Sequence, residues 1–169
     1  MNASTRLLFT ELPTNPHLTV IDLERFTRFA KERGIATCVD STLASPVNLQ
    51  AHRFGVDYIV HSATKYLGGH NDLLAGVLCG RKADLEPIRR LNDIVGAIAS
   101  PHTAYLLQRG LKTLALRVER QNQSGLKIAQ LLAQHPKVAR VYYPGLETHP
   151  TYDNARKYLN GYGGLVSFE

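Results

Sequence analysis

The chain has 169 residues, 44% hydrophobic and 20% charged, an ordinary globular composition long enough to bury one sizeable core. Its formal charge of +6 reflects 20 basic against 14 acidic residues, but the basic residues are scattered, in pairs such as Arg81-Lys82 and Arg89-Arg90 without interleaved aromatics, which argues against nucleic-acid binding. No run approaches the roughly 18 apolar residues of a membrane span, residues 1–6 lack the apolar core of a signal peptide, and Cys38 and Cys79 lie in apolar runs that predict buried free thiols in a reducing cytoplasm rather than a disulfide.

Along the chain, Leu7-Leu8-Phe9-Thr10 predicts a strand and Pro13 to Pro16 a turn. The span from about Val20 to Arg33 predicts a helix, with Leu23, Phe26 and Ala30 on one face and Gly34 as its stop. Ile35-Ala36-Thr37-Cys38-Val39 reads as a buried strand running into Asp40, and Ser45-Pro46 ends the regularity. A short helix near Leu49 to Phe54, closed by Gly55, leads to a strand over Val56-Asp57-Tyr58-Ile59-Val60, and Gly76-Val77-Leu78-Cys79 predicts another. Strands separated by helix-length crossovers imply an α/β fold with a mostly parallel sheet and flanking helices. From Ala83 to Gln134 the pattern is helical, broken near Ser100-Pro101, where proline suits a first helical position. Strand returns over Val138 to Tyr143 and Leu165 to Phe168.

The segment His61-Ser62-Ala63-Thr64-Lys65-Tyr66-Leu67-Gly68-Gly69-His70 carries the most chemistry. Lys65 falls just past the carboxyl end of a predicted strand, where open α/β sheets collect their ligands. An amine that must form a Schiff base works best there, fixed in direction and partly desolvated. Ser62 and Thr64 offer hydroxyls to an anionic group, and Gly68-Gly69 allows close backbone approach. Alone, a lysine after Ser-x-Thr is usually a solvated surface charge. Asp40 changes the weighing, because it ends the preceding strand and so converges with Lys65 on one crevice. An aldehyde-reactive lysine, an anion site and a carboxylate for a ring nitrogen are together the requirements of pyridoxal 5′-phosphate. Tyr66, Tyr142, Tyr143, Tyr152 and Tyr158 read as packing or subunit-contact residues. His61 and His70 read as hydrogen-bonded supports of the loop, at a spacing that suits no metal site.

These residues stand within a longer resemblance. Glu11-Leu12-Pro13-Thr14-Asn15-Pro16, Val39-Asp40-Ser41-Thr42-Leu43-Ala44-Ser45-Pro46 and the Lys65 loop follow, in order, segments of the Cys/Met-metabolism (transsulfuration) family of pyridoxal-phosphate enzymes. Later landmarks follow too, at Arg109 to Leu114, His135 to Val138, Tyr142 to Leu146 and Gly163 to Glu169. The chain therefore resembles that family over nearly its whole length. It departs at Ser41, Leu43 and Gln121, where Asn, Phe and His are common in the family. Asn71-Asp72-Leu73-Leu74-Ala75-Gly76 resembles the γ-synthase members more than the lyases.

The resemblance implies part of a type I, aspartate-aminotransferase-like fold, with residues 1–113 as the second half of the cofactor-binding domain and 114–169 as the start of a smaller one. It implies that Lys65 holds the cofactor and moves protons, Asp40 keeps the pyridine nitrogen protonated, Ser62 and Thr64 bind phosphate, and Asn15 bonds the phenolic oxygen. The implied substrates are small amino acids, in a homodimer or homotetramer without nucleic-acid or membrane partners. The expected reaction is γ-replacement on an O-acylhomoserine by cysteine; a γ- or β-lyase is the alternative, and an inactive fragment or interaction module the alternative of another class. A phosphate-binding helix start and a ring-stacking tyrosine are expected upstream of Met1, and a carboxylate-binding arginine downstream of Glu169, so the chain alone is expected to be inactive.

Overall fold

A computed structural model of the chain describes residue 2 and residues 4–169. A four-stranded sheet organises it, in the order β1 (Leu7–Glu11), β2 (Ala36–Asp40), β3 (Tyr58–Ser62) and β4 (Gly76–Gly80). The first three strands are mutually parallel, while β4 runs antiparallel to β3. The mostly parallel expectation is thus borne out, with a reversal at one edge. The reversal has a local cause: residues 63–75 between β3 and β4 contain no crossover helix, and parallel pairing needs one.

Helix α1 (Leu23–Lys31) is shorter than the expected Val20 to Arg33. Asp22 caps it, its carboxylate accepting from the Arg25 amide at 2.9 Å and from the Tyr158 hydroxyl at 2.6 Å, so the chain before it stays extended. Leu23 and Ala30 are buried, Leu23 in a core with Leu12, Val20, Val39 and Leu49. Ser45-Pro46 does not end regular structure but begins a short helix, α2 (Ser45–Asn48), with proline near its first position. The helix expected over Leu49 to Phe54 is instead a 3-10 turn at Ala51–Phe54, because Leu49 is extended and interrupts it; Gly55, at φ 78°, closes the turn as expected.

Three helices follow: α3 (Lys82–Val95), α4 (Pro101–Leu111) and α5 (Leu114–Ala133). The break expected at Ser100-Pro101 is the start of α4, where the Ser100 hydroxyl accepts from the Thr103 amide. The last two strands shrink to β5 (Val141–Tyr142) and β6 (Ser167–Phe168), paired antiparallel, and Pro144 bars extension of the first. A helix not foreseen, α6 (Tyr152–Tyr158), packs Ala155 and Tyr158 into the core beside α1. Tyr142, Tyr143 and Tyr158 are buried, as packing residues should be. Cys38 is a buried thiol, but Cys79 is exposed, contrary to expectation, because β4 is an edge strand with little laid over it. Among the described residues no helix is long and apolar enough to cross a membrane.

Candidate active site

The register Glu11 opposite Asp40, and Asp40 opposite Val60, brings the carboxyl ends of three parallel strands side by side. Asn15, Asp40 and Lys65 therefore all lie at or beyond one edge of the sheet. Main-chain bonds lace the strand ends together: the Leu12 amide donates to the Asp40 carbonyl and the Ser41 amide to the Val60 carbonyl, each at 2.9 Å. Thr42 adds the central link. Its amide donates to Asp40 Oδ1 at 2.9 Å, while its hydroxyl accepts from the Ser62 amide at 2.7 Å. The carboxylate and the lysine loop are thus tied through one threonine, which fixes them relative to each other.

The lysine loop is a folded turn rather than a loose connection. The Lys65 amide donates to the Ser62 carbonyl, the Gly68 amide to Ala63 and the Gly69 amide to Lys65, at 3.1, 2.8 and 2.8 Å. Ala63 and Leu67, on either side of the lysine, are buried with Leu114 and Val118 of α5. A buried leucine such as Leu67 contributes roughly 1.5–3 kcal/mol and the Ala63 methyl about 0.8, so the loop is anchored by packing as well as by hydrogen bonds. Gly68 is required by closeness: a Cβ there would stand 2.9 Å from the Ala63 carbonyl oxygen.

Between these anchors Lys65 is exposed, in place of the partial desolvation expected of it. It opens onto a cavity of about 200 Å³ lined also by Leu43, Tyr66, Gln121, Gly164 and Leu165. The Tyr66 hydroxyl accepts from the Gly164 amide at 3.2 Å, so this tyrosine ties the loop to the chain's last segment as well as packing.

The remaining expected residues divide. Ser62 lies at the end of β3, and its hydroxyl has no partner among the described residues. The Thr64 hydroxyl is engaged with Ala75, accepting from its amide at 3.2 Å. Asn15 is exposed, its amide N–H donating to Glu11 Oε2 at 3.0 Å. His70 bonds the Gly68 carbonyl at 2.8 Å and so supports the loop, as expected. His61 is buried with its Nδ1 unpartnered; burial holds its pKa below the ordinary imidazole value, against the opposing pull of the Asp40 carboxylate and the Ser41 backbone. Among the described residues no cluster of His, Cys, Asp or Glu could hold a metal ion.

The donor set fits a pyridoxal-phosphate-type ligand. An accessible amine, a carboxylate held by backbone and a free hydroxyl share one edge, and two buried polar atoms stand unpartnered there, Ser41 Oγ next to Asp40 in sequence and Nδ1 of His61, whose ring feels the Asp40 charge. Sequence reading missed two residues that shape this edge, Thr42 and Arg117. Arg117 donates to the Tyr66 carbonyl at 2.9 Å across 51 positions of sequence, a contact that no local pattern signals.

Comparison with known proteins agrees. The family model described as "Cys/Met metabolism PLP-dependent enzyme" matches residues 1–169. Cystathionine gamma-synthase 1, chloroplastic, of Arabidopsis thaliana is 48% identical over 163 residues, 96% of this chain and 29% of that protein. Cystathionine beta-lyase of Coxiella burnetii is 42% identical over 171 residues, 100% of this chain and 44% of that protein. The crystal structure of cystathionine gamma-lyase from Lactobacillus plantarum complexed with L-serine is similar at a TM-score of 0.97 and 37% identity, over 100% of this chain and 45% of that one. The chain thus spans less than half the length of these relatives. With one family profile running from its first residue to its last, the chain belongs to the Cys/Met-metabolism family of PLP-dependent enzymes.

Proposed function

We propose that the chain serves a γ-replacement reaction of the cystathionine γ-synthase type, in which cysteine displaces the acyloxy group of an O-acylhomoserine and cystathionine is formed. The observation that carries this reading is the synthase-like segment Asn71 to Gly76, which lies directly against the lysine loop. The Ala63 amide donates to the Ala75 carbonyl at 2.9 Å, the Ala75 amide donates to Thr64, and Leu73 is buried under Gly68. A lyase reaction on a related substrate is the second reading, favoured by the 42% identity to a protein described as cystathionine beta-lyase.

Pyridoxal phosphate, when bound, supplies an electron-withdrawing pyridinium ring that acidifies the substrate's Cα–H. Lys65 Nζ is the group that would attach it and then carry protons to and from the substrate's Cα and Cβ. Asp40 would hold the proton on the ring nitrogen, its carboxylate kept in direction by the Thr42 amide. Ser62 and Thr64 would bind the phosphate, Thr64 by exchanging or sharing its contact with Ala75, and Asn15 would donate to the phenolic oxygen.

The helix break at Lys112–Thr113, between α4 and α5, supports a division into a cofactor-binding part, residues 1–113, and the start of a smaller domain, residues 114–169. Assembly as a homodimer or homotetramer acting on small amino acids belongs to the same proposal. So does a cytoplasmic location, which the two free thiols support. Incubating the holoenzyme with O-succinyl- or O-acetylhomoserine and cysteine tests the reaction: cystathionine is expected, and α-keto acid with ammonia as sole products would select the lyase. Borohydride reduction and peptide mapping should find the pyridoxyl group on Lys65, and a label on Lys112 or Lys127 would refute its role.

A further inference from the structure

The bonds within the lysine turn give it a shape but do not aim it. Its orientation relative to the rest of the molecule depends on what grips it from outside, and beside the Thr42 and Ala75 bonds a charged grip comes from Arg117 in the first turn of α5. The Arg117 guanidinium spreads its donors over three acceptors from three places. Nη1 donates to the Tyr66 carbonyl at 2.9 Å, Nη2 to the Gly110 carbonyl near the end of α4 at 2.8 Å, and Nε to the Thr113 hydroxyl at 3.1 Å. The planar fork suits this arrangement, because it fixes the directions of several bonds at once.

Two further observations make the contact specific. Gly69, at φ 76°, lies directly on the guanidinium, and a Cβ at that position would overlap it. The loop's second glycine therefore clears the space Arg117 occupies. In addition, no carboxylate pairs with Arg117 among the described residues, and burial lowers its pKa. A half-buried cation satisfied by neutral oxygens costs desolvation, and a residue placed only to staple a helix start to a loop would not need the charge.

We propose that Arg117 is a positioning residue for Lys65: by holding the carbonyl of the next residue, it fixes the direction in which the lysine side chain leaves the backbone and couples that direction to α5. This inference rests on the reading of Lys65 as the cofactor-bearing lysine. Because the same guanidinium grips the end of α4 and the loop, the Lys65 backbone is held in register with both α4 and α5 while the three bonds persist.

The test uses the holoenzyme with Arg117→Ala and Arg117→Lys. Measured quantities are kcat and KM, the pH midpoint of the bound cofactor's absorbance change, and thermal unfolding. Arg117→Ala is expected to lower kcat by roughly 10- to 100-fold with KM changed much less, as a misaimed amine would. It should also move the absorbance midpoint, and guanidinium ion added to the buffer should restore part of kcat in this variant and none in the wild type. Arg117→Lys keeps the charge and most of the packing but cannot span both carbonyls, so it should show the same midpoint change with a smaller loss of kcat. Should the alanine variant fail to fold, the lysine variant decides. Unchanged kcat and midpoint in a folded variant, or a loss that follows the drop in Tm without guanidinium rescue, overturns the proposal. Borohydride labelling of the wild type separates the two layers: a label elsewhere than Lys65 refutes the underlying reading, whereas a label on Lys65 with indifferent Arg117 variants refutes the positioning role alone.

Discussion

Replacing Gly110 by alanine sets two effects of opposite sign against each other. Gly110 lies in the last turn of α4, and glycine to alanine inside a helix gains at most about 1 kcal/mol. Against that, a Cβ at Gly110 would overlap the Gly68 carbonyl oxygen and stand 2.8 Å from the Leu67 carbonyl oxygen and 3.0 Å from the Gly68 carbonyl carbon. These are main-chain atoms of the lysine loop, so no side chain can rotate away to make room. The loop itself is pinned by Leu67, which is buried with Leu114 and Val118. Overpacking of this kind costs about 1–3 kcal/mol, which exceeds the helical gain, so Gly110→Ala should be destabilising by about 1 kcal/mol net. Its effect on turnover should be larger than its effect on stability. The loop must retreat by several tenths of an ångström, and displacement of a reacting group by about 1 Å can cost on the order of 100-fold in rate. Urea unfolding and steady-state kinetics of the holoenzyme measure the two quantities. Gly76→Ala is the control for stability, since a Cβ there meets nothing within 4 Å and the substitution should not destabilise. A Gly110→Ala enzyme as stable as the wild type and equally active would show that the contact yields freely and that the reasoning is wrong.

Other expectations follow from the same geometry. His149 is buried, donates from Nε2 to the His17 carbonyl and accepts at Nδ1 from the Thr151 amide, so its pKa is lowered, by burial first and then by Arg140, against the His17 bond. A proton on Nδ1 would break the Thr151 bond. Its unfolded value is about 6.5, so the stability it confers is present above that pH and is lost as pH falls toward the lower folded value. His61 acts in the same direction. Melting curves from pH 7.5 down to about 5 should decline on this account, and His149→Asn should flatten the decline; an identical slope in the variant would exclude His149 as a source. Asp40→Asn keeps the shape but removes the charge, and should cut turnover by at least about 100-fold with less loss of cofactor binding; near-normal turnover would mean another group holds the ring proton. Asp22→Ala removes the α1 cap and the acceptor of the Tyr158 hydroxyl, and should cost about 1–3 kcal/mol in urea unfolding. Paired with Tyr158→Phe in a double-mutant cycle, it should show clear non-additivity; strict additivity would mean the hydroxyl contact carries no weight.

How much of this was legible in the sequence depended on range. Strands β1 to β3 and the loops after them declare themselves, because β-branched apolar runs followed by Asp40 or by Ser62 to Gly69 combine pattern and chemistry over a few residues. The direction of β4 was also within reach in principle, since residues 63–75 lack a helical pattern and cannot supply a crossover. Cys79 was not, because an apolar pentapeptide reads alike in a covered strand and at an uncovered edge. Ser45-Pro46 is ambiguous for a different reason: the proline that ends one element is equally good at beginning the next. Thr42 and Arg117 are illegible in a stricter sense. Nothing near Arg117 in sequence distinguishes it from Arg120, and the difference emerges only when α5 docks so that one guanidinium meets the Tyr66 carbonyl.

That docking bears on how the carboxylate and the amine keep their relation. Helix α5 reaches both loops: Arg117 holds the one that carries Lys65, and Asn122 holds the segment that follows Asp40 through a reciprocal amide pair with Asn48, at 2.8 and 2.9 Å. Asn122 Oδ1 accepts a further bond from the Gly163 amide at 2.7 Å, and Gly163 is in turn held by the Tyr143 hydroxyl at 2.8 Å. Thr42 joins the two loops directly at the sheet edge. Helix α5 therefore braces both loops from one side, while the threonine sets their spacing at the sheet edge. The same helix supplies Gln121 to the cavity beside Lys65, where Gly164 also stands. Chemistry that needs a ring nitrogen and an attached carbonyl carbon served at a fixed distance is compatible with a scaffold in which the carboxylate and the lysine loop are joined at the sheet edge by Thr42 and braced together by one helix.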